Sequence, residues 1–373
     1  MKKFSFLLFV ILFGCTEPYL LQTSNFEEAI VIEATITNEL KKQEIKVSKT
    51  YRLEENGPNF VENATVSVED DLGNVYNFIE GDEVYESENE FQAITGRKYK
   101  LRVETNGKTY TSTQETLTAI SPIENIQVSD QTIANVRGAE IKVSSFDPTS
   151  SSKYYRYEFE ETYKIIAPKW IPYTVTVNPS TYELIYTPRT YEARTCYSTK
   201  KSNEILLHST SNLSEDSVDY TVRFIPVTNP IITHRYSILV KQYIQNLEAY
   251  TYYNTLKTIS GSDGILSQNQ PGFFSGNISC ESNPNEKVIG FFDVSSVSSQ
   301  RIFFNFEDVF GGTTLRVSSI SRARITRTRL CLSIDVARIA SFSSSFLKSS
   351  SDGSFSSSSR SFLFGGTCGS NML

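Results

Sequence analysis

Between residues 28 and 120 the chain repeats one pattern, an apolar residue at every second position in short runs parted by turn residues. Ile30-Val31-Ile32-Glu33-Ala34-Thr35-Ile36, Glu44-Ile45-Lys46-Val47-Ser48 and Ala64-Thr65-Val66-Ser67-Val68-Glu69 can each bury one face while the other stays wet. Turns are expected at Asp71-Leu72-Gly73-Asn74 and Glu80-Gly81-Asp82. The strongest local signal is Tyr99–Glu104, then Asn106-Gly107, then Lys108–Ser112. Asn-Gly supplies the two positive φ angles of a tight I′ turn, so this stretch predicts a hairpin. Short strands and turns over residues 28–120 predict an immunoglobulin-like β-sandwich.

At Ser121-Pro122 the alternation breaks, and proline cannot donate to a ladder, so a second unit is expected over residues 121–312. Within it Glu140–Val143, Tyr154–Glu160, Ile205–Leu207, Val218–Phe224 and Tyr236–Val240 read as strands, longer and more aromatic than the first set. With 21 Tyr and 24 Phe, the composition suits pleated, half-buried surfaces. Asn246 can cap a helix with Leu247, Tyr250 and Asn254 on one side and Ala249, Tyr253 and Leu256 on the next. The expected fold is mainly β: an N-terminal immunoglobulin-like β-sandwich followed by a larger β-rich domain with at least one short helix.

Lys2 and Lys3 precede an apolar run from Phe4 to Phe13 that is too short to span a bilayer, followed by Leu12-Phe13-Gly14-Cys15. Residues 1–14 therefore read as a lipoprotein signal peptide, with Cys15 as the acylated new N-terminus and residues 15–27 as a spacer. Several acyl chains anchor stably where one does not, because each buried methylene contributes about 0.8 kcal/mol. No later segment approaches the roughly twenty apolar residues of a spanning helix, so lipid on Cys15 is the expected membrane attachment.

Charge divides along the chain. Residues 313–373 hold 8 Lys and Arg against 2 Asp and Glu, leaving 28 against 40 in the rest. An acidic body of this kind repels nucleic acid, which is excluded as a partner, and the acidity reads as solubility.

Chemistry is sparsely marked. With Cys15 assigned to lipid and Cys331 and Cys368 in the anomalous tail, Cys196 and Cys280 are the candidates for a disulfide, permitted by an oxidising envelope. The long loop closed would make such a bond worth about 4 to 5 kcal/mol in the chain-entropy model. His208 and His234 are the only histidines and do not form a His-Glu-x-x-His arrangement, so no metal site and no cofactor are expected. Ser260-Gly261-Ser262-Asp263-Gly264 lacks the spacing of a nucleophile elbow and reads as a loop. Asp70-Asp71 and Glu160-Glu161 are adjacent on strands, which sends each pair to opposite faces and argues against shared acid/base work. Trp170, between Pro168 and Pro172, is a candidate partner contact, with a plug of the domain as the preferred reading. The chain is not expected to be an enzyme.

Tyr236–Tyr243, Glu248-Ala249-Tyr250, Gly276-Asn277-Ile278-Ser279-Cys280, Val288–Phe292 and Gln300–Phe304 occur in one order, with Gly107–Ser112 and Cys15-Thr16-Glu17-Pro18 before them. Together they resemble a Bacteroidota lipoprotein family, domain of unknown function 4249, over about residues 10–312. The resemblance implies an outer-membrane lipoprotein, often encoded near a TonB-dependent receptor, and brings no catalytic or binding residues with it. The expected function is a noncatalytic accessory or binding subunit of a TonB-dependent transport system, with a structural or assembly role in the outer envelope as the alternative. Beyond Gly312 the chain departs from the family. From Arg316 onward there is no Tyr, Glu, Gln, Pro or Trp, and Ser runs such as Ser356-Ser357-Ser358-Ser359 alternate with Phe and Leu. Residues 313–373 are read as an out-of-frame or disordered tail.

If Cys15 is the acylated residue, Cys15→Ala abolishes incorporation of labelled palmitate and releases the protein from sedimenting membranes. Palmitate retained by the variant would refute the assignment.

Overall fold

The computed structural model describes residues 28–52, 57–192, 194–260 and 274–311. Twenty strands follow in chain order among these residues. They are β1 (Ile30–Thr37), β2 (Glu44–Lys49), β3 (Asn59–Phe60), β4 (Thr65–Asp70), β5 (Val75–Glu80), β6 (Tyr85–Ser87), β7 (Lys98–Thr105), β8 (Lys108–Ser112) and β9 (Glu115–Thr116) in the first unit. The second adds β10 (Asn125–Ile133), β11 (Val136–Asp147), β12 (Tyr154–Ile166), β13 (Tyr173–Val177), β14 (Leu184–Pro188), β15 (Thr195–Lys201), β16 (Leu206–Ser209), β17 (Asp216–Pro226) and β18 (Tyr236–Gln245). Helix α1 (Leu247–Ser260) comes next, then β19 (Ile278–Cys280), β20 (Val288–Phe304) and the short α2 (Phe306–Phe310).

The alternation in the first unit becomes burial as expected. Ile30, Ile32, Ala34 and Ile36 of β1, Ile45 and Val47 of β2, Val66 and Val68 of β4, and Tyr99, Leu101 and Val103 of β7 share one core. Each such aliphatic side chain taken out of water contributes roughly 1.5 to 3 kcal/mol. The β7–β8 hairpin turns at Asn106 and Gly107 with φ of 51° and 73°, the I′ geometry that the dipeptide predicts. The result is an immunoglobulin-like β-sandwich.

The second unit packs β10-β11-β17 against the sheet that holds β12 and β18. Ile126, Ala139, Ile141 and Val143 come from one layer, and Tyr155, Tyr157, Ile238, Val240 and Ile244 from the other. Helix α1 starts where expected: Asn246 Oδ1 accepts from Ala249 N–H at 2.7 Å. Its packed side carries Ala249, Tyr252, Tyr253 and Leu256 against Phe291, whereas Leu247 is exposed.

The ranges 28–120 and 121–312 do not partition the two cores. β19 pairs with β8, and the first half of β20 pairs in parallel with β1, from Ile30↔Val288 to Thr37↔Ser295. Ile278, Cys280, Val288, Phe292 and Val294 therefore lie in the first core. From Ser296 to Phe304 the same strand turns to β18, antiparallel, and ends in the second core. One hydrogen-bonded path thus runs β15-β12-β18-β20-β1-β2-β6-β5-β4-β7-β8-β19. Among the described residues β20 is the strand that pairs with β1 on the edge away from β2.

Three backbones meet where β20 joins. Gly290 has φ of 143°, and a Cβ there would stand 2.1 Å from Ile32 O; a Cβ on Gly276 would stand 1.6 Å from Gly290 O. Asn277 covers the other edge of β20, accepting from Phe292 N–H through Oδ1 at 2.7 Å and donating from Nδ2 to Phe292 O at 2.9 Å. Its amide stands in for a neighbouring strand. Gly290→Ala is expected to cost about 3 kcal/mol or more, since backbone rather than a mobile side chain must give way. Urea unfolding measures this, and a midpoint within error of the parent would contradict the close approach.

Candidate functional site

The second unit carries an arm. β12 is 13 residues long, and β18 flanks it only from Tyr154 to Tyr163. β15 accompanies it further, from Glu160↔Lys201 to Ile166↔Thr195. Past that point Ala167 N–H to Arg194 O and Arg189 N–H to Pro172 O, both 2.8 Å, lead the two chains into the separate hairpin of β13 and β14. At its tip Asn178 N–H donates to Glu183 O at 2.8 Å, Asn178 Oδ1 accepts from Ser180 N–H at 2.9 Å, and Tyr182 adopts φ of 58°.

Every residue of β13 and β14 is exposed. The register pairs Tyr173 with Pro188, Val175 with Tyr186 and Val177 with Leu184, so all six side chains stand on one face. The other face has Thr174 opposite Thr187 and Thr176 opposite Ile185. The hairpin is amphipathic, and its apolar face is uncovered. A lone two-stranded hairpin is marginal in water, and a contiguous apolar patch is the usual mark of a contact surface. Tyr182 (83 % exposed), Tyr197 and Tyr191 extend the aromatic character along the arm.

At the root of the arm lies a cleft of about 280 Å³ lined by Glu158, Phe159, Glu160, Lys201, Ser202 and Lys241. A smaller one of about 180 Å³ adjoins it, reaching Arg156, Asn203, Glu204 and Tyr253. Arg156 is stacked between the rings of Tyr243 at 4.3 Å and Tyr253 at 4.8 Å and pairs with Glu158. Glu158 Oε2 also accepts from Tyr243 Oη at 3.2 Å. Burial works against the Glu158 charge, yet Arg156 outweighs it and holds the carboxyl below its ordinary range. Deeper still, Asp293 of β20 accepts from Ser295 Oγ at 2.6 Å and Gln245 Nε2 at 3.2 Å. Burial raises its pKa above the usual carboxylate range despite the opposing pull of Arg156. A second buried cluster supports the arm from below: Glu161 accepts from Tyr236 Oη at 2.7 Å and from Arg223 Nε and Nη2 at 3.3 Å.

The residues singled out in the sequence are scattered. Cys15 and Ser262–Gly264 lie outside the described residues. Cys196 and Cys280 are not bridged: Cys196 is exposed on β15 and Cys280 is buried on β19, the two ends of the long sheet path, and both thiols are free. The expected disulfide fails because sheet topology holds its members apart. Trp170 is half-buried at the base of the hairpin, with Nε1 out of water and without an acceptor. His208 packs beside the rings of Tyr155 and Tyr220, and burial holds its imidazole below its ordinary pKa. Asp70 is buried and organises its turn, accepting from Leu72 and Asn74 N–H groups, whereas Asp71 is exposed. Glu161 faces the core cluster and Glu160 pairs with Arg301, so the adjacent carboxylates point apart as expected. The arm carries a sequence signal of its own: Tyr173-Thr174-Val175-Thr176-Val177 followed by Asn178-Pro179 has the same period-two signature as the first strands.

A mainly β lattice with a projecting aromatic arm is thus the class that the geometry defines. The profile of a family described as a domain of unknown function, DUF4249, matches residues 16–301. The chain belongs to that family. None of the curated proteins matches it.

The raised pKa of Asp293 has a measurable sign. Its neutral form is the one that the fold favours, so the stability it contributes is present below the unfolded value near 4 and is lost as pH rises through the higher folded value. Asp293→Asn is expected to raise the urea midpoint at pH 7, with the gain vanishing below about pH 4. A variant less stable than the parent at pH 7 would contradict a net burial penalty on the Asp293 charge.

Proposed function

We propose that this protein is a noncatalytic outer-membrane lipoprotein that serves as an accessory or binding subunit of a TonB-dependent transport system. The observation that carries the reading is the uncovered apolar face of the β13–β14 hairpin, held away from both cores on a two-stranded arm. Tyr173 and Tyr186 on that face are of the residue type enriched at protein contacts. The address in this reading comes from the export signal and Cys15 of the sequence.

The two sandwiches, joined through one shared strand, act as a rigid mount that sets where the arm stands. The clefts at its root are lined by charged and hydroxyl groups suited to a polar contact rather than to enclosing an apolar molecule. Cargo or receptor would meet aromatic side chains first and the charged root second.

Mild solubilisation of native membranes followed by affinity purification tests the assignment. A stoichiometric barrel-shaped receptor is the expected companion. Recovery of assembly machinery or other lipoproteins alone would instead establish a structural or assembly role in the envelope.

A further inference from the structure

We infer that the apolar face of the β13–β14 hairpin seats in an apolar groove on a partner protein whose rim carries carboxylates. The inference rests on the accessory-subunit reading and adds the chemistry of the contact.

Charge is the first argument. Residues 164–201 hold six Lys and Arg (Lys164, Lys169, Arg189, Arg194, Lys200 and Lys201) against Glu183 and Glu192, in a chain of net charge −6. Among the described residues none of these six cations forms an ion pair, whereas elsewhere Lys108 pairs with Glu286, Lys142 with Asp219 and Arg301 with Glu160. The two acidic side chains of the arm are engaged within it: Glu192 Oε1 accepts from Thr195 N–H at 3.1 Å and Glu183 Oε2 from Thr181 Oγ1 at 3.2 Å. The arm therefore presents positive charge that its own fold leaves unbalanced, and an acidic rim complements it.

Shape is the second. Tyr173, Val175, Val177, Leu184, Tyr186 and Pro188 form a single apolar face, backed by Thr174, Thr176 and Thr187. One face wholly apolar and a reverse face with three threonines beside Ile185 match a groove that covers the hairpin from one side. A bilayer suits it poorly, because Asn178, Ser180 and Glu183 crown the tip and Glu183 would have to enter hydrocarbon first. A second copy suits it no better, since a two-fold contact would set six cations against six.

The test uses the full chain in its native membrane, with a photoreactive benzophenone amino acid in place of Tyr186 on the apolar face or of Thr174 on the reverse. Irradiation at Tyr186 is expected to give one protein adduct, at least tenfold stronger than at Thr174, whose cross-linked peptide maps to an apolar segment flanked by Asp or Glu. Val175→Glu, which sets a carboxylate on the apolar face and against an acidic rim, should lower the yield at least tenfold. The combined Arg189→Glu, Arg194→Glu and Lys200→Glu variant, or a rise in salt from about 50 to about 500 mM, should lower it severalfold. Unchanged thermal unfolding of both variants shows that they are folded. Adducts to phospholipid, to a second copy of this chain, equal at both positions, or on a segment without carboxylates overturn the inference. If a barrel receptor co-purifies equally with parent and Val175→Glu, the accessory role stands and this contact falls. If the mapped acidic groove belongs to a protein outside any transporter, the contact stands and the accessory role falls.

Discussion

The structure depends on the division of β20 between two neighbours. Its first half offers hydrogen bonds to β1 in parallel and its second half to β18 in antiparallel, so a single continuous backbone belongs to both sandwiches. Parallel pairing needs a long crossover, and here the crossover runs from Asn38 to Lys287, the rest of the first unit and most of the second. The first core is incomplete until Ile278, Cys280, Val288, Phe292 and Val294 arrive. Closing such distant contacts is slow, because chain entropy is lost before the contacts reward it. The glycines at 276 and 290 and the Asn277 amide are the local means by which this late strand is admitted.

Much of the strand pattern was legible in residues 28–120. Alternation located β1, β2, β4, β7 and β8, and Asn106-Gly107 fixed one turn to its type. The cap at Asn246 and the strands at Tyr154 and Tyr236 could be read for the same reason: each is decided by neighbours within a few residues. What could not be read is which strands pair. The apolar face of β1 demands burial but does not state that its partner begins at Val288. Gly290 gave no warning either, since a glycine required by close backbone approach looks the same in sequence as one in a loop.

The candidate site was harder still. Cys196 and Cys280, the reactive residue types of the body, lie on the two terminal strands of the long sheet path, one exposed and one buried. The strands of the arm are built of Thr, Val, Tyr, Leu and Ile with Pro188 at the end, a composition that normally announces core strands. Its exposure follows only once β13 and β14, among the described residues, pair with nothing but each other. Likewise Arg156 between two tyrosines required three elements, β12, β18 and α1, to be brought together.

The order β15-β12-β18-β20-β1 has a mechanical consequence. Tension applied upstream of Ile30 draws β1 along its own axis against β20, so eight register pairs are loaded in shear and must yield together rather than one by one. Load on the arm enters the same lattice through β12 and crosses β18 to reach the same strand. A pull between the N-terminal end and the arm is thus carried laterally through β1, β20, β18 and β12, with β2, antiparallel on the other edge of β1, sharing the shear at its five register pairs.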